Sequence, residues 1–437
     1  MMRISRCLVA ALVVSAAVSA RATSDTQETA NALRERTGAS ARLDGAVAFS
    51  LPEGVVLDDG LTRDEAVAVA LWNNAEFQVA AAGLGFARAD LLEAGLITNP
   101  VLSLLFPVGP KQLEATLRLP IEILWERPRR IAAARAAGDV VAQRLIQTGL
   151  DLAAATKEAH TDLSLAQERA RLAAETSTLV QRISNLTATR LAAGDIGELE
   201  ARAARVDSAR AMEDASRTRH DITIAAERLR RRIGLPREVS MPALVVTPGD
   251  LDPCGASESL LTEALAARPD VRAAELAIEA AARKLGWERS RVLAITALID
   301  ANGKGSQGRE IGPGIDVGLP LFNRNQVGKA RAAVEIQQAT AAYAAARQRA
   351  ALEVMEASVQ YGQAAESQSA WRATVVEPLE ANVAAAERSF GNGETSFLFV
   401  LENTRRLAEA RGRAGELDAD LKRARARIER AVGRNCR

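Results

Sequence analysis

Between Arg129 and Leu191 the chain carries no proline, and apolar side chains return every seven residues at Leu145, Leu152, Ala159, Ala166, Ala173 and Val180. A second stripe with the same spacing runs through Leu165, Leu172, Leu179 and Leu186. At about 1.5 Å per residue this predicts a helix roughly 95 Å long, supercoiled left-handedly against neighbours on two sides. A comparable helix is predicted from about Gln326 to Phe390, with Pro378 removing a backbone hydrogen bond and kinking it. Before each long helix the period drops to two. Leu113, Ala115, Leu117 and Leu119 alternate with Glu114, Thr116 and Arg118, and Val101 to Phe106 precede them across the turn Pro107-Val108-Gly109-Pro110. Ile295, Ala297, Ile299 and Ala301 alternate with Thr296, Leu298, Asp300 and Asn302, and Ile315, Val317 and Leu319 with Asp316 and Gly318, the loop Gly303 to Gly308 lying between. These read as strand pairs within 101–119 and 295–319, each strand with one apolar and one polar face.

The elements come in the same order twice. Ala70-Leu71-Trp72-Asn73-Asn74-Ala75-Glu76-Phe77 is matched by Ala264-Leu265-Ala266-Ala267-Arg268-Pro269-Asp270-Val271; both strand pairs close on Leu-Pro, at Leu119-Pro120 and Leu319-Pro320; both long helices end in a glycine turn, at 193–197 and 391–395. A tandem duplication of helix, strand pair, long helix, turn and helix predicts a pseudo-symmetric protomer, mainly α with a small β part. Thr62 and Glu65 are spaced as a capping box, opening a helix that runs to about Gly95. The expected division is a signal peptide at 1–22, an extended leader at 23–60, a first repeat at 61–240, a linker at 241–258, a second repeat at 259–433 and a tail at 434–437.

The first segment has the layout of a secretory signal: Arg3 and Arg6, an apolar run from Leu8 to Val18, then small residues. Cys7 sits at the start of that run rather than at its end, so no lipid anchor is expected. The mature chain retains Cys254 and Cys436, which in an oxidising compartment either pair or stay as two free surface thiols. Lys and Arg total 56 against 55 Asp and Glu, so there is no basic footprint for nucleic acid. Aromatics are 3% of residues, which leaves alanine to fill close helix contacts. His160 and His220 lie alone in predicted helices, so no catalytic, cofactor or metal site is expected. No later stretch has the 18 or so uninterrupted apolar residues of a spanning helix, so entry into a membrane would require strands. Four amphipathic strands either close a barrel with other copies or form a half-buried soluble sheet. In a barrel, Glu114, Arg118, Asp300 and Asp316 would line a wet lumen and the Leu, Ile and Val positions would meet lipid. Trp125 and Phe322 suit either an aromatic girdle or a core contact.

Leu319-Pro320-Leu321-Phe322-Asn323-Arg324, Val375-Val376-Glu377-Pro378-Leu379-Glu380 and Gly391-Asn392-Gly393-Glu394-Thr395-Ser396-Phe397-Leu398, with the signal and the duplication, resemble the TolC family of outer-membrane efflux channels. The likeness runs from about Leu61 to Gly433. It implies a homotrimer in which twelve strands, four per subunit, form a β-barrel in the outer membrane above an α-helical periplasmic tunnel. An equatorial belt built from the linker and the termini would bring Cys254 and Cys436 into one region. The tips, Gly194 with Asp195 and Gly393 with Glu394, would contact a periplasmic adaptor, although glycines that simply reverse a helix explain the same residues. Family constriction rings align with Phe399 and Glu402; as rings they would dewet and charge a narrow axis, and otherwise they are a coiled-coil contact and an exposed carboxylate. The implied partners are the adaptor, an inner-membrane pump and outer-membrane lipid. The implied role is the exit duct of a tripartite efflux system. Pro120-Ile121-Glu122-Ile123 before a basic helix start, and the missing lipid anchor, resemble the heavy-metal cation branch. Type I protein secretion is the alternative within the fold, and a soluble periplasmic coiled-coil scaffold the alternative outside it.

Overall fold

The computed structural model describes residues 26–46, 48–106, 113–245, 254–255, 257–303 and 309–436. The expected signal peptide, the turn at 107–110, the connecting loop at 304–308, and most of the linker lie outside these residues. Helix α1 covers 26–37. It is followed by α2 (Arg63–Asn73), α3 (Ala75–Gly95), β1 (Val101–Leu105), β2 (Glu114–Pro120), α4 (Ile123–Ala192) and α5 (Glu198–Ile233). The second half repeats the order with α6 (Ser257–Ala267), α7 (Pro269–Ser290), β3 (Ala294–Gly303), β4 (Arg309–Gly318), α8 (Gln326–Trp371), α9 (Glu377–Gly391) and α10 (Phe397–Val432). Two compact units emerge. Of the described residues, one comprises those within 80–147 and 266–349 together with 26–29; the other comprises those within 30–79, 148–265 and 350–436.

In the unit that holds the chain's C-terminus, α4 and α10 pair antiparallel. Asp162–Arg423 (2.6 Å) and Arg169–Glu416 (2.7 Å) are rungs one heptad apart, with Glu158–Arg427 (3.2 Å) and Asp151–Arg430 (2.6 Å) continuing the ladder. Gly412 and Gly415 of α10 face Leu172 and Leu165 of α4. Every position of the two predicted stripes on α4 is buried or half-buried, and the seven-residue pattern thus marks real seams.

Two expectations need correction here. The helix from Thr62 is not continuous to Gly95. Thr62 and Glu65 form the capping box in both directions, but Asn74 ends α2, accepts from the Phe77 amide to start α3 (2.9 Å), and donates to the Arg232 carbonyl (2.9 Å). The matching position of the second copy, Arg268, breaks α6 from α7 and pairs with Asp270 through two bonds of 2.9 and 2.7 Å. The leader is not extended throughout either. Its helix α1 buries Leu33, which converges with Leu71 and Phe77 on the space left by Gly149. Arg42 folds the following loop by donating to the carbonyls of Ala46 and Ala48 (2.5 and 3.0 Å). His160 is buried against the same strand of chain, its Nε2 3.0 Å from the Leu61 carbonyl. Burial holds its pKa below the ordinary value, so the neutral ring donates here and no chemistry is required of it.

Around Pro378 the helix does not simply kink. Five residues, Arg372–Val376, form a π-turn directly before α9, the local widening that accommodates a proline with no amide hydrogen. Val354, Ala357 and Tyr361 are buried before this turn, Val376 within it and Ala386 after it, with Leu379 and Val383 half-buried. The indole of Trp371 donates to the Ala410 carbonyl of α10 (3.0 Å).

Cys254 and Cys436 are joined in a disulfide, with a Cα separation of 5.1 Å and a sequence separation of 182. The bond closes over a core of Leu260, Ala264, Val354, Tyr361, Leu421, Ile428 and Val432. Beside it Lys157 and Glu429, 4% and 8% exposed, lie 2.6 Å apart. Asn435 accepts from Lys157 (2.8 Å), while its own side chain donates to the Thr37 carbonyl (2.7 Å). A loop this long implies stabilisation at the upper end of the usual range, about 2–5 kcal/mol. Cys254→Ser is therefore expected to lower the denaturation midpoint of the oxidised protein clearly, and to leave that of the reduced protein unchanged. Chemical melts with and without reductant measure both.

Candidate functional site

The four strands form one antiparallel sheet in the order β1-β2-β3-β4. Residues directly opposite one another in such a ladder share a face, so the register assigns the faces. Glu114 opposes Asn302, Thr116 opposes Asp300, Arg118 opposes Leu298, and Thr296 opposes Asp316. Glu114, Arg118, Asp300 and Asp316 therefore share one face, joined by Thr116 donating to Asp300 (2.8 Å) and Asn302 donating to it from the same strand (2.9 Å). On the other face, Ala115, Leu117 and Leu119 oppose Ala301, Ile299 and Ala297, and Ile311, Ile315 and Val317 continue the apolar surface on β4. That apolar face is not covered: Ile311 and Ile315 are 73% and 69% exposed. Each strand of the β3–β4 pair has ten residues, the length a tilted strand needs to cross a hydrocarbon core. Among the described residues β1 and β4 pair on one side only. A sheet with an apolar face and two open edges cannot sit in lipid alone, because each unpaired backbone group there costs several kcal/mol. Phe322, just past β4, is 92% exposed as a girdle residue would be, whereas Trp125 is half-buried.

The two turns are built alike, bond for bond. Gly194 and Gly393 sit in the left-handed region, at φ 80° and 75°. The next amide reaches back five residues in each, Asp195 to Arg190 (2.9 Å) and Glu394 to Ser389 (2.8 Å), which is a Schellman closure. A Cβ on either glycine would meet no atom within 4 Å, so substitution strains the backbone without a clash. The copies differ after the turn. Ser396 caps α10 through the Phe399 amide, while Gly197 leaves α5 without a side-chain cap.

Phe399 is 53% exposed on the first turn of α10. Glu402 is not a bare carboxylate. It accepts from Arg405 (2.7 and 3.0 Å) and from Arg406 (3.3 Å), and Arg405 also binds Glu409. The Arg405 hydrogen bonds hold the Glu402 carboxyl below the usual range despite partial burial. Each Glu402 thus has two arginine partners within its own helix. The spacing Glu402-x-x-Arg405-Arg406 places those partners one turn on, and was legible in the sequence. The Lys157–Glu429 pair carries no such local signal. Among the described residues no cluster of His, Cys, Asp and Glu is placed to hold a metal ion, and no helix is long and apolar enough to cross a membrane.

A sheet of this kind, continuous with long paired helices, defines the protomer of a channel that spans a membrane by strands. The model of the outer membrane efflux protein family matches residues 260–434. The cobalt-zinc-cadmium resistance protein CzcC of Cupriavidus metallidurans is 27% identical over 381 residues, covering 86% of this chain and 90% of that protein. The fold is shared with CusC, whose structures concern transmembrane channel formation (TM-score 0.68, 19% identity, 89% of this chain and 96% of that one). It is shared also with the open outer-membrane channel MtrE of Neisseria gonorrhoeae (TM-score 0.62, 18% identity, 91% and 98%). Residues 260–434 thus match the outer membrane efflux protein family, and the fold over most of the chain is the one these channels share.

Proposed function

We propose that three copies close a twelve-stranded barrel, β4 of one copy pairing with β1 of the next, and that the assembly is the exit duct of a tripartite efflux system. The observation that carries this reading is the four-stranded sheet with one uncovered apolar face and both edges open. Glu114, Arg118, Asp300 and Asp316 then face the lumen. An adaptor meets the turns at Gly194–Asp195 and Gly393–Glu394, and an inner-membrane pump drives transport. The likeness to a cobalt, zinc and cadmium resistance protein supports divalent heavy-metal cations as cargo. In this reading the duct conducts the ions and the pump chooses them. A strain lacking the gene should become sensitive to zinc, cobalt or cadmium; unchanged metal tolerance with loss of a secreted protein would favour type I secretion. Purified protein that stays monomeric and water-soluble would end the channel reading.

The tips and the constriction give sharper tests. Gly194→Leu and Gly393→Leu each force a branched residue into the left-handed region at about 1–2 kcal/mol, too little to unfold the trimer. Adaptor cross-linking at the tips is expected to fall severalfold while the trimer band persists on gels. Because Glu402 is already paired, Glu402→Gln unbalances Arg405 and Arg406 and adds net positive charge at the constriction. Single-channel recording is expected to show reduced cation preference, with the conductance itself little changed if Phe399 sets the width.

A further inference from the structure

We infer that the junction between strands and helices binds anionic phospholipid headgroups of the leaflet facing the helices. The proposal rests on the outer-membrane reading above. β1 begins, β2 ends, β3 begins and β4 ends at the same edge of the sheet, where the chain enters or leaves α3, α4, α7 and α8. Six large apolar side chains crowd that edge: Leu96, Ile97, Leu124, Leu319, Leu321 and Phe322 are each 64–92% exposed. Immediately beyond them come Arg129 on α4, Arg289 in the last turn of α7, Arg324 before α8 and Arg331 on α8, all exposed. At the rise of a helix, Arg129 and Arg331 lie about 9 and 8 Å past the first residues of α4 and α8, and Arg289 and Arg324 lie within six residues of a strand end.

These arginines differ from others on the surface. Arg171, Arg202 and Arg217 each hold a carboxylate one turn away at 2.5–2.6 Å. None of the four at the junction pairs with a carboxylate among the described residues, and Arg324 donates only to the Pro320 carbonyl (3.2 Å). Carboxylates do occur at this level, but they are turned elsewhere. Asp90 and Glu93 line a cavity of about 750 Å³ with Arg130 and Lys284, and Glu288 is buried under Asn325 (2.6 Å). An apolar collar with unpaired cations directly beyond it is complementary to acyl chains ending in phosphates. Each cation near an anionic lipid surface contributes about 1 kcal/mol, roughly a fivefold preference, and the effect decays within a Debye length. That confines the contact to the headgroup layer.

The test uses the full-length assembly in vesicles of phosphatidylethanolamine with one-fifth phosphatidylglycerol. The protein is extracted with its bound lipids, which are then weighed by mass spectrometry. Phosphatidylglycerol is expected to be at least about threefold enriched around the natural protein. The fourfold variant Arg129→Gln, Arg289→Gln, Arg324→Gln, Arg331→Gln should insert equally well, stay trimeric, and carry lipid at the bulk composition. Bulk composition around the natural protein, or enrichment that survives in the variant, overturns the inference while leaving the channel intact. A variant that falls apart in every lipid mixture overturns it too, because the arginines would then hold subunits together. Failure of the natural protein to insert in any mixture removes the outer-membrane reading itself.

Discussion

An Ile315→Arg protein is expected to yield no heat-modifiable trimer in the outer-membrane fraction. Ile315 lies past the middle of β4 on the uncovered apolar face, opposite Ala297. An arginine on the lipid side of a barrel strand costs about 2–4 kcal/mol near the midplane. Three copies per assembly make that roughly 6–12 kcal/mol, comparable to the whole stability of an ordinary domain. Thr296→Arg is the control, because Thr296 opposes Asp316 on the polar face, where a cation meets water and carboxylates. It should insert normally. Insertion of both variants alike would mean that the apolar face does not meet lipid.

Lys157→Met is expected to destabilise the protein by about 3–5 kcal/mol, the usual result of removing one partner from a buried ion pair. Among the described residues Glu429 would keep Arg425 at 3.5 Å and the Cys436 amide at 3.3 Å. Lys157→Met with Glu429→Gln should recover much of the loss, since no uncompensated charge then stays buried. Denaturant melts of the detergent-solubilised protein compare the three. Equal losses in the single and double variants would show that packing, not charge, governs this position. Both substitutions lie beside the disulfide, so the melts belong under oxidising conditions.

The period-seven stripes and the period-two strands were legible because burial repeats at the spacing of the element itself, whatever surrounds it. Leu145, Leu172 and Val180 on α4 report their seams directly, and the alternation in β2 and β3 gave both faces before any register was known. The duplication extended this reading to the breaks at Asn74 and Arg268, whose alignment was visible although their role was not. What ends α2 is a bond from Asn74 to a carbonyl 158 residues away, and no local pattern encodes that. The helix at 26–37 was missed for a related reason: its hold on the rest is a single buried leucine and a few polar contacts to the C-terminal end, such as Arg36 to the Gly433 carbonyl (2.9 Å). The Lys157–Glu429 pair joins residues 272 apart and had no signature at all. Glu402 is the opposite case, a pairing with Arg405 and Arg406 whose spacing is local and written in the sequence.

The widened turn at Arg372–Val376 also keeps a phase. Above it the inward positions fall at 354, 357, 361, 364 and 368; the same count carried downward would put residues 375, 378, 382 and 385 inside, proline among them. Val375 and Val376 both turn inward within the turn, and beyond it the inward positions are 379, 383 and 386, each one later. A single surplus residue has been absorbed, equivalent to about 100° of rotation about the axis, so that Pro378 points outward and Leu379 takes the place it would have filled. Shortening this segment by one residue would restore a regular spiral with the lower hairpin still facing its partner, but would take away the widening that accommodates Pro378.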